Sequence, residues 1–460
     1  MKHLPDDTIA AIATPIGEGA LSIIRVSGPQ ALEISDSVFR GRRQLASSNG
    51  FTVHHGRIFD AEGHTIDDVL ATVFRMPHSY TGENSAEISC HGGLLVTHRV
   101  LDAIIAAGAR RAEPGEFTRR AFLNGRMDLS QAEAVADLIA ARSSRAHTIS
   151  LEQLSGRLAG RLGEIRTSLL DLCSLLEIEL DFSEEGIDIV SREEVQQRIE
   201  RSLEILDNMC STYRAGRVFR EGVSVVLAGR PNSGKSSLFN ALLSEDRAIV
   251  THIPGTTRDS LEESISLRGI LFRLTDTAGL RTSSDIVESA GISRTLSRVQ
   301  SADIVILLVD ATEEYRPEEI LADLGQIKGS QHILVALNKS DILDRKPEAV
   351  KWPDGLEPVL ISAMTHAGLE ELKSRLLSMI PGSRSVSEDS VLITNQRHVE
   401  ALRRASRSLS IALESTRSRA TNEFVAFDIR EAMDSLAEIT GEITSEEILD
   451  SIFSRFCIGK

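Results

Sequence analysis

The chain has 460 residues and a mass of 50.2 kDa, too long for one ordinary core, so two or three domains are expected. Its 41% apolar and 26% charged content, with a mean hydropathy of -0.07, exclude a disordered or membrane-embedded chain. The formal charge of -16, from 51 Lys and Arg against 67 Asp and Glu, excludes a protein that coats nucleic acid nonspecifically; any RNA contact must be local.

Asp6 and Asp7 stand where an export signal requires positive charge, and the apolar stretch Thr8 to Ile16 is short and ends around Pro15. The four cysteines, 90, 173, 210 and 457, form no C-x-x-C pair, which suits reduced thiols and argues against disulfides and structural zinc. A cytoplasmic protein without a membrane span is expected.

Residues 1–122 mix short β-rich runs, Ala20–Val26, Val69–Phe74 and Glu87–Cys90, with turn signals, and predict a small α+β domain. From Ser130 the pattern becomes helical. Ser130-Gln-Ala-Glu133 has capping-box form, and Leu154, Leu158, Leu162, Ile165, Leu169, Leu172 and Leu176 recur every three or four residues. A break at 182–186 precedes a second helix predicted from Arg192 to about Arg217. The acidic stretch between Leu176 and Glu194 reads as a solvated loop and helix start.

At Gly222 the period changes again. Val223–Ala228 reads as a buried parallel strand, followed by aliphatic runs at Ile304–Val309, Ile333–Leu337 and Val359–Ile361 separated by helical or loop sequence, the signature of a doubly wound α/β sheet. After Pro381 a Ser-rich linker leads into more helix. The expected organisation is an α+β domain at 1–122, a helical domain of 123–217 plus 383–460, and an α/β domain at 218–382 inserted between the helical segments.

Gly229-Arg-Pro-Asn-Ser-Gly-Lys-Ser236 matches the P-loop pattern G-x-x-x-x-G-K-[ST] between a strand and helical sequence starting near Ser237. Backbone N–H groups of Asn232, Ser233, Gly234, Lys235 and Ser236 can cradle phosphate, Lys235 can neutralise the β- and γ-phosphates, and Ser236 can ligate Mg²⁺. Asn338-Lys339-Ser-Asp341 follows a strand, and the Asp341 carboxylate can accept from N1–H and the exocyclic amine of guanine, a donor pair that adenine lacks. Asn338 and Lys339 would brace the loops around the base, while Ser362-Ala363-Met364 is placed to offer a backbone N–H to guanine O6. Asp276-Thr277-Ala278-Gly279 supplies a carboxylate for the Mg²⁺ shell and an N–H for the γ-phosphate, and Thr256-Thr257 forms the first switch, with Thr257 reaching Mg²⁺. Five elements in order predict a GTP-binding domain. Ras-like enzymes place a water-orienting Gln after the Asp-Thr-Ala-Gly run; here Leu280 stands there. Glu288 is the candidate catalytic base or water-positioner, with a solvated helix-start carboxylate as the plainer reading.

Asn232, Thr251-His252-Ile253-Pro254-Gly255-Thr256-Thr257-Arg-Asp259, Leu280, Gly115–Asn124, Asp128–Asp137 and the terminal Phe456-Cys-Ile-Gly-Lys460 together resemble the MnmE (TrmE) family of tRNA-modification GTPases over the whole chain. The resemblance implies a K⁺ ion beside the γ-phosphate in place of an arginine finger, held by the Asn232 side chain and the carbonyls of Thr251, Ile253 and Thr256, with Glu288 activating water through a bridge. It implies G-domain dimerisation that drives hydrolysis, and a constitutive homodimer through the first domain. It also implies a 5-formyl-tetrahydrofolate-type one-carbon donor bound at Arg25, Glu87, Arg126 and Lys460, Arg126 standing where relatives carry a lysine. By the same resemblance Cys457 would fall in a motif that relatives need for modification, although a small buried hydrophobe is the commoner fate of a free cysteine. The implied activity adds an aminomethyl or carboxymethylaminomethyl group to C5 of the tRNA wobble uridine, in a heterotetramer with an MnmG/GidA-type partner that supplies FAD. Two rivals stay open: a ribosome-assembly GTPase of the Era or Der kind, and a folate-binding scaffold with a regulatory GTPase.

Overall fold

The computed structural model describes residues 7–181, 190–246, 262–276, 302–313, 332–343, 352, 356–380 and 391–460. These form two compact units, one of residues up to 136 with 153–166 and 434–460, the other of 137–152 with 167–433.

The first unit is built on a sheet that, among the described residues, has seven strands: β1 (Ile9–Ile12), β2 (Leu21–Ser27), β3 (Phe39–Gly41), β4 (Thr52–Phe59), β5 (Thr65–Phe74), β6 (Ser85–His91) and β7 (Arg110–Arg111), in the order β3-β4-β5-β6-β2-β1-β7. The three runs predicted as strands fall in β2, β5 and β6. Period-two alternation decides which face is buried. Ile24 and Val26 of β2, Val69, Ala71 and Val73 of β5, and Ala86 and Ile88 of β6 pack with Leu32 and Ile34 of helix Ala31–Val38 and with Val100 and Ile104 of helix Leu94–Ala106. The opposite face carries Arg25 and Glu87, which lie directly across from one another in the antiparallel β2/β6 register.

The last residues of the chain join this unit. Phe453 and Phe456 pack with Leu129, Ala132 and Val135, and a Cβ at Gly115, whose φ is 70°, would sit 2.5 Å from the Phe453 carbonyl oxygen. Gly459, at φ 96°, comes as close to the Ile12 carbonyl: an added Cβ would lie 2.3 Å from it. Glycine is therefore required where the tail crosses β1.

Helix Leu129–Ala140 begins one residue earlier than the capping box expected at Ser130. Asp128 Oδ1 accepts from Gln131 N at 3.0 Å, and Gln131 Oε1 accepts from Asp128 N at 3.0 Å, so the reciprocal box is Asp128…Gln131. Asp caps as well as Ser does, and Ser130 is turned inward and buried. Of the leucine repeat predicted from Leu154, Leu158, Leu162, Ile165, Leu169, Leu172 and Leu176 line one buried stripe of helix Arg157–Asp181, whereas Leu154 ends the preceding helix, Ser144–Leu154.

The second helix, expected to run unbroken to about Arg217, divides into Arg192–Ser211 and Tyr213–Glu221. Thr212 Oγ1 donates to Met209 O at 2.7 Å and accepts from Ile393 N at 3.0 Å, tying the junction to the chain that returns after the sheet. A Cβ at Gly216 would meet the Ile393 carbonyl at 2.2 Å, so the approach also depends on that glycine. Helix Gln396–Arg417 then lies against Arg192–Ser211, with Arg417 on Glu200 and Ser406 on Asp207 across the seam. The 182–189 part of the predicted break and acidic loop lies outside the described residues.

Between these helices in the sequence lie the six described strands of a second sheet: β8 (Val223–Ala228), β9 (Glu262–Leu267), β10 (Ile270–Asp276), β11 (Ile304–Asp310), β12 (His332–Asn338) and β13 (Val359–Leu360), in the order β13-β12-β11-β8-β10-β9. Every pairing is parallel except β9/β10. β11 is buried at every position, as a strand covered on both faces must be. The α+β and doubly wound α/β expectations both match the observed architecture.

A buried ion cluster fixes the near end of the first unit. Arg120, 1% exposed, places its guanidinium on Asp7 (2.6 Å), Glu116 (3.1 Å) and Glu83 (3.2 Å), and Arg110 binds Asp7 and Glu116 from outside. Burial pushes the Asp7 and Glu116 carboxyls up, but their hydrogen bonds to Arg110 and Arg120 outweigh it and hold both below the ordinary values of 3.8 and 4.5. Depressed carboxylates stabilise the fold above their ordinary values and lose that contribution as pH falls through the depressed ones. The melting temperature of the intact protein should therefore drop on acidification below about pH 4.5. Arg120→Met, which takes the cation from Glu83 and leaves Asp7 and Glu116 to Arg110 alone, should cost about 3 kcal/mol at neutral pH and blunt the acid dependence. An unaltered melting profile across pH in that variant refutes the assignment.

Candidate nucleotide site

The loop after β8 sits where the strand order reverses. β8 is flanked by β10 on one side and β11 on the other, and their C-terminal ends open a crevice of the kind that receives ligands in doubly wound sheets. Gly229, at φ 150°, leaves β8 against β11, where a Cβ would lie 2.3 Å from the Leu308 carbonyl. Asn232 turns the loop in the left-handed region at φ 62°, a conformation Asn tolerates better than most residues. Gly234 follows at φ 96°, and there a Cβ would strike the Asn338 amide nitrogen at 2.2 Å. Helix Lys235–Asp246 then begins, two residues earlier than the predicted Ser237, directly after the loop.

Lys235 is buried, and its Nζ donates to the carbonyls of Gly229 (3.0 Å) and Arg230 (2.8 Å), so the loop curls around the lysine head. Ser233 is buried, with an Oγ that has no hydrogen-bond partner among the described residues. Asn232, Ser236 and Ser237 are exposed.

Asn338 ends β12 and is 2% exposed. Its Nδ2 donates to Ser233 O at 2.8 Å and its Oδ1 accepts from Ala363 N at 3.0 Å. One side chain thus ties the P-loop to the Ser362–Met364 loop. Lys339, at φ 69°, reaches Asp310 Oδ2 at 2.5 Å, while Thr312 donates to Oδ1 of the same carboxylate through N and Oγ1. Burial raises the Asp310 carboxyl, but these bonds prevail and hold it below the usual carboxylate range. Asp310 is a site residue that the motif search missed. Its signal was present in the sequence, an acid directly ending the aliphatic run Ile304–Val309.

Asp341 is exposed on a single 3-10 turn, Ser340–Ile342, and its Oδ1 accepts from Ser362 Oγ at 2.6 Å. Oδ2 has no hydrogen bond to the described residues. Ser362 Oγ also accepts from Thr365 N at 3.1 Å, and Met364 stands 82% exposed beside it. Asp276 closes β10, although its side chain lies outside the described set. Thr251, His252, Ile253, Pro254, Gly255, Thr256, Thr257, Thr277, Ala278, Gly279, Leu280 and Glu288 lie outside the described residues altogether.

In the first unit the structure brings together three of the four residues predicted to bind the one-carbon donor. Arg25 Nε and Nη2 converge on Glu87 Oε1 at 2.9 and 2.8 Å, and Arg25 Nη1 donates to Gly459 O at 3.3 Å. Lys460 Nζ lies 5.6 Å from the centre of the Tyr80 ring, and the Arg25 guanidinium lies 4.9 Å from it. Burial, and then the neighbouring Arg25, push the Lys460 ammonium below its ordinary value, with Glu87 opposing. Arg126 is exposed, and its stem lies against the backbone at Gly82. Sequence reasoning missed Tyr80 and Phe117, the aromatic floor under Arg25. Cys457 is exposed, against the buried reading of that residue, whereas Cys90 is buried and its thiol is pushed up to about 11, mainly by burial, as suits a structural role.

The profile of the MnmE helical domain matches residues 129–457, and that of the GTP-binding protein TrmE N-terminus matches residues 8–126. A tRNA modification GTPase MnmE from Chlorobium luteolum is 46% identical over 99% of this chain and 98% of its own length. The namesake from Salinibacter ruber is 45% identical over 99% of both. Among solved structures, Era from Aquifex aeolicus bound to GDP and aluminium fluoride is 26% identical over 40% of this chain and 66% of its own, at a TM-score of 0.29, too partial an overlap to argue from. With both profiles matched and full-length relatives this similar, the chain belongs to the MnmE (TrmE) family of tRNA modification GTPases.

Proposed function

We propose that the chain hydrolyses GTP and couples the cycle to modification of the tRNA wobble uridine in the cytoplasm. The observation that carries the nucleotide half is Asn338, which holds the P-loop and the Ser362–Met364 loop at one crevice. In this reading the nucleotide takes the Lys235 ammonium away from the Gly229 and Arg230 carbonyls and places its phosphates over the start of helix Lys235–Asp246. The Asp341 carboxylate, free at Oδ2, accepts from the guanine N1–H and amine, and the Ala363 region presents its backbone to O6.

Ser236, Thr257 and Asp276 would hold Mg²⁺; Asn232 with the carbonyls of Thr251, Ile253 and Thr256 would hold K⁺. The described member of the K⁺ set fits: Asn232 is exposed on a left-handed turn, and an amide oxygen with backbone carbonyls is a neutral, hard-oxygen donor set suited to a large monovalent ion. When bound, the two cations offset charge that grows on the phosphates in the transition state. Glu288 positions water for attack, by family likeness. Approach of two G domains orders the switch and triggers turnover, and the first domain holds a constitutive homodimer.

The one-carbon half rests on Arg25, Glu87 and Lys460. Glu87 Oε2 accepts no hydrogen bond from the described residues, so it is available to the N–H groups of a reduced pteridine, and the cations Lys460 and Arg126 suit a glutamate carboxylate. A 5-formyl-tetrahydrofolate-type donor meets these demands. A FAD-bearing protein of the MnmG/GidA kind, assembled with this chain as a heterotetramer, would supply the redox step. Among the described residues no helix is long and apolar enough to cross a membrane, in keeping with work on tRNA. A ribosome-assembly role is the rival reading, and no geometry at the site favours it.

Three experiments test the proposal. Asn338→Ala leaves Ser233 O and Ala363 N without their partner, a loss of about 1 to 3 kcal/mol, and should weaken GTP and GDP binding about tenfold or more in equilibrium dialysis. Wild-type affinity in that variant contradicts the bridging role. Replacing K⁺ by Na⁺ at equal ionic strength should cut GTP turnover severalfold or more, whereas equal rates remove the potassium assignment. Mass analysis of tRNA from cells lacking the protein should show loss of the wobble C5 group; intact tRNA with ribosomal-subunit defects would favour the rival.

A further inference from the structure

The side chains around Tyr80 present an electrostatic problem. Arg25 and Lys460 bear like charges, yet both lie over the one phenol ring, 4.9 and 5.6 Å from its centre. Glu87 offsets one of them through Arg25. The negative face of an aromatic ring attracts a cation but carries no net charge to neutralise it. The ring is itself fixed. Tyr80 Oη and Thr118 Oγ1 share a hydrogen bond at 2.9 Å, Asn124 Nδ2 donates to Thr81 O at 2.8 Å, and Glu83 is bound by the buried Arg120. Helix Glu116–Leu123 and its C-cap Asn124 thus hold the 80–83 loop at Tyr80, Thr81 and Glu83.

Among the described residues the tail has few other hydrogen bonds near its end. Gly459 accepts from Arg25 through its carbonyl and crosses the Ile12 carbonyl, Lys460 N donates to Cys457 O at 3.3 Å, and Cys457 and Ile458 are exposed. Docking of residues 457–460 therefore depends on Arg25 and on the ring.

We infer that Tyr80 is a positioning residue, whose ring face gathers Arg25 and Lys460 into one anion-accepting pair and so couples ligand binding to docking of the tail that carries Cys457. The ligand class, a reduced folate with a carboxylate tail, rests on the reading proposed above; the coupling of ring to tail does not. An acceptor oxygen of the ligand entering between the two cations relieves their repulsion, so the bound ligand and the docked tail stabilise each other.

The test compares full-length wild type with Tyr80→Phe and Tyr80→Leu. Tyr80→Phe keeps the ring face and loses only the bond to Thr118; Tyr80→Leu keeps bulk and loses the π face. Affinity for 5-formyl-tetrahydrofolate is measured by equilibrium dialysis, and amide hydrogen exchange is followed in the 454–460 peptide with and without that compound. Wild type and Tyr80→Phe should bind within about threefold of each other and show slower exchange in the peptide on binding. Tyr80→Leu should bind about tenfold more weakly, exchange faster in that peptide without ligand, and show little added protection at saturation. Wild-type affinity and exchange in Tyr80→Leu overturn the inference, as does a Tyr80→Phe variant as impaired as Tyr80→Leu. If wild type does not bind the folate, the ligand reading falls. The inference is then decided by exchange without ligand: faster in Tyr80→Leu than in Tyr80→Phe sustains it, equal in both defeats it.

Discussion

The buried amide of Asn338 is the constraint on which the nucleotide site depends. A primary amide offers donors on one side and an acceptor on the other, and Asn338 spends one of each on backbone groups of two different loops. No aliphatic residue could join them, and a carboxylate would present an acceptor to the Ser233 carbonyl. Gly234 follows from the same contact, since any Cβ there would displace the amide nitrogen. The P-loop glycine and the asparagine of the base-recognition motif are thus two halves of one close approach, although 104 positions separate Gly234 from Asn338.

The second unit is organised so that this contact is rigid. β11 and β12 pair in register with Asp310 opposite Asn338, which brings Lys339 within reach of the Asp310 carboxylate. That ion pair holds the start of the turn from which Asp341 projects, so the bracing residues are buried or paired while Asp341 keeps an oxygen exposed to solvent. Such a division suits the base-recognition role proposed for Asp341, since the loop is ordered by bonds among the protein's own groups.

How much of this was legible in the sequence depends on the range of the physics involved. Strands β2, β5, β6, β8, β11 and β12 were readable because alternation or continuous apolarity is set by local burial, and the leucine stripe of Arg157–Asp181 was readable for the same reason. The P-loop was readable because its chemistry is done by backbone within eight residues. The Asp310–Lys339 pair was not, since it exists only once two parallel strands adopt a particular register. The capping box was displaced by two residues because Asp128 and Ser130 both satisfy the local pattern, and only the inward turn of Ser130 decides between them. The helix break at Thr212 was invisible because its cause, the Ile393 amide, arrives 181 residues later.

Arg25 and Glu87 show how a family likeness and a geometric argument can meet without duplicating each other. Likeness named them as ligand residues; the β2/β6 register makes them cross-strand neighbours, which by itself would be a surface ion pair of little consequence. What distinguishes the pair is its surroundings. Arg25 is largely buried against Tyr80 and Phe117, both its carboxylate-facing nitrogens use one Glu87 oxygen, and a second cation is brought in by the tail. Burial and the neighbouring Arg25 both disfavour the Lys460 ammonium, with Glu87 opposing. Retaining that arrangement is intelligible where the uncompensated charge is answered by something other than the protein.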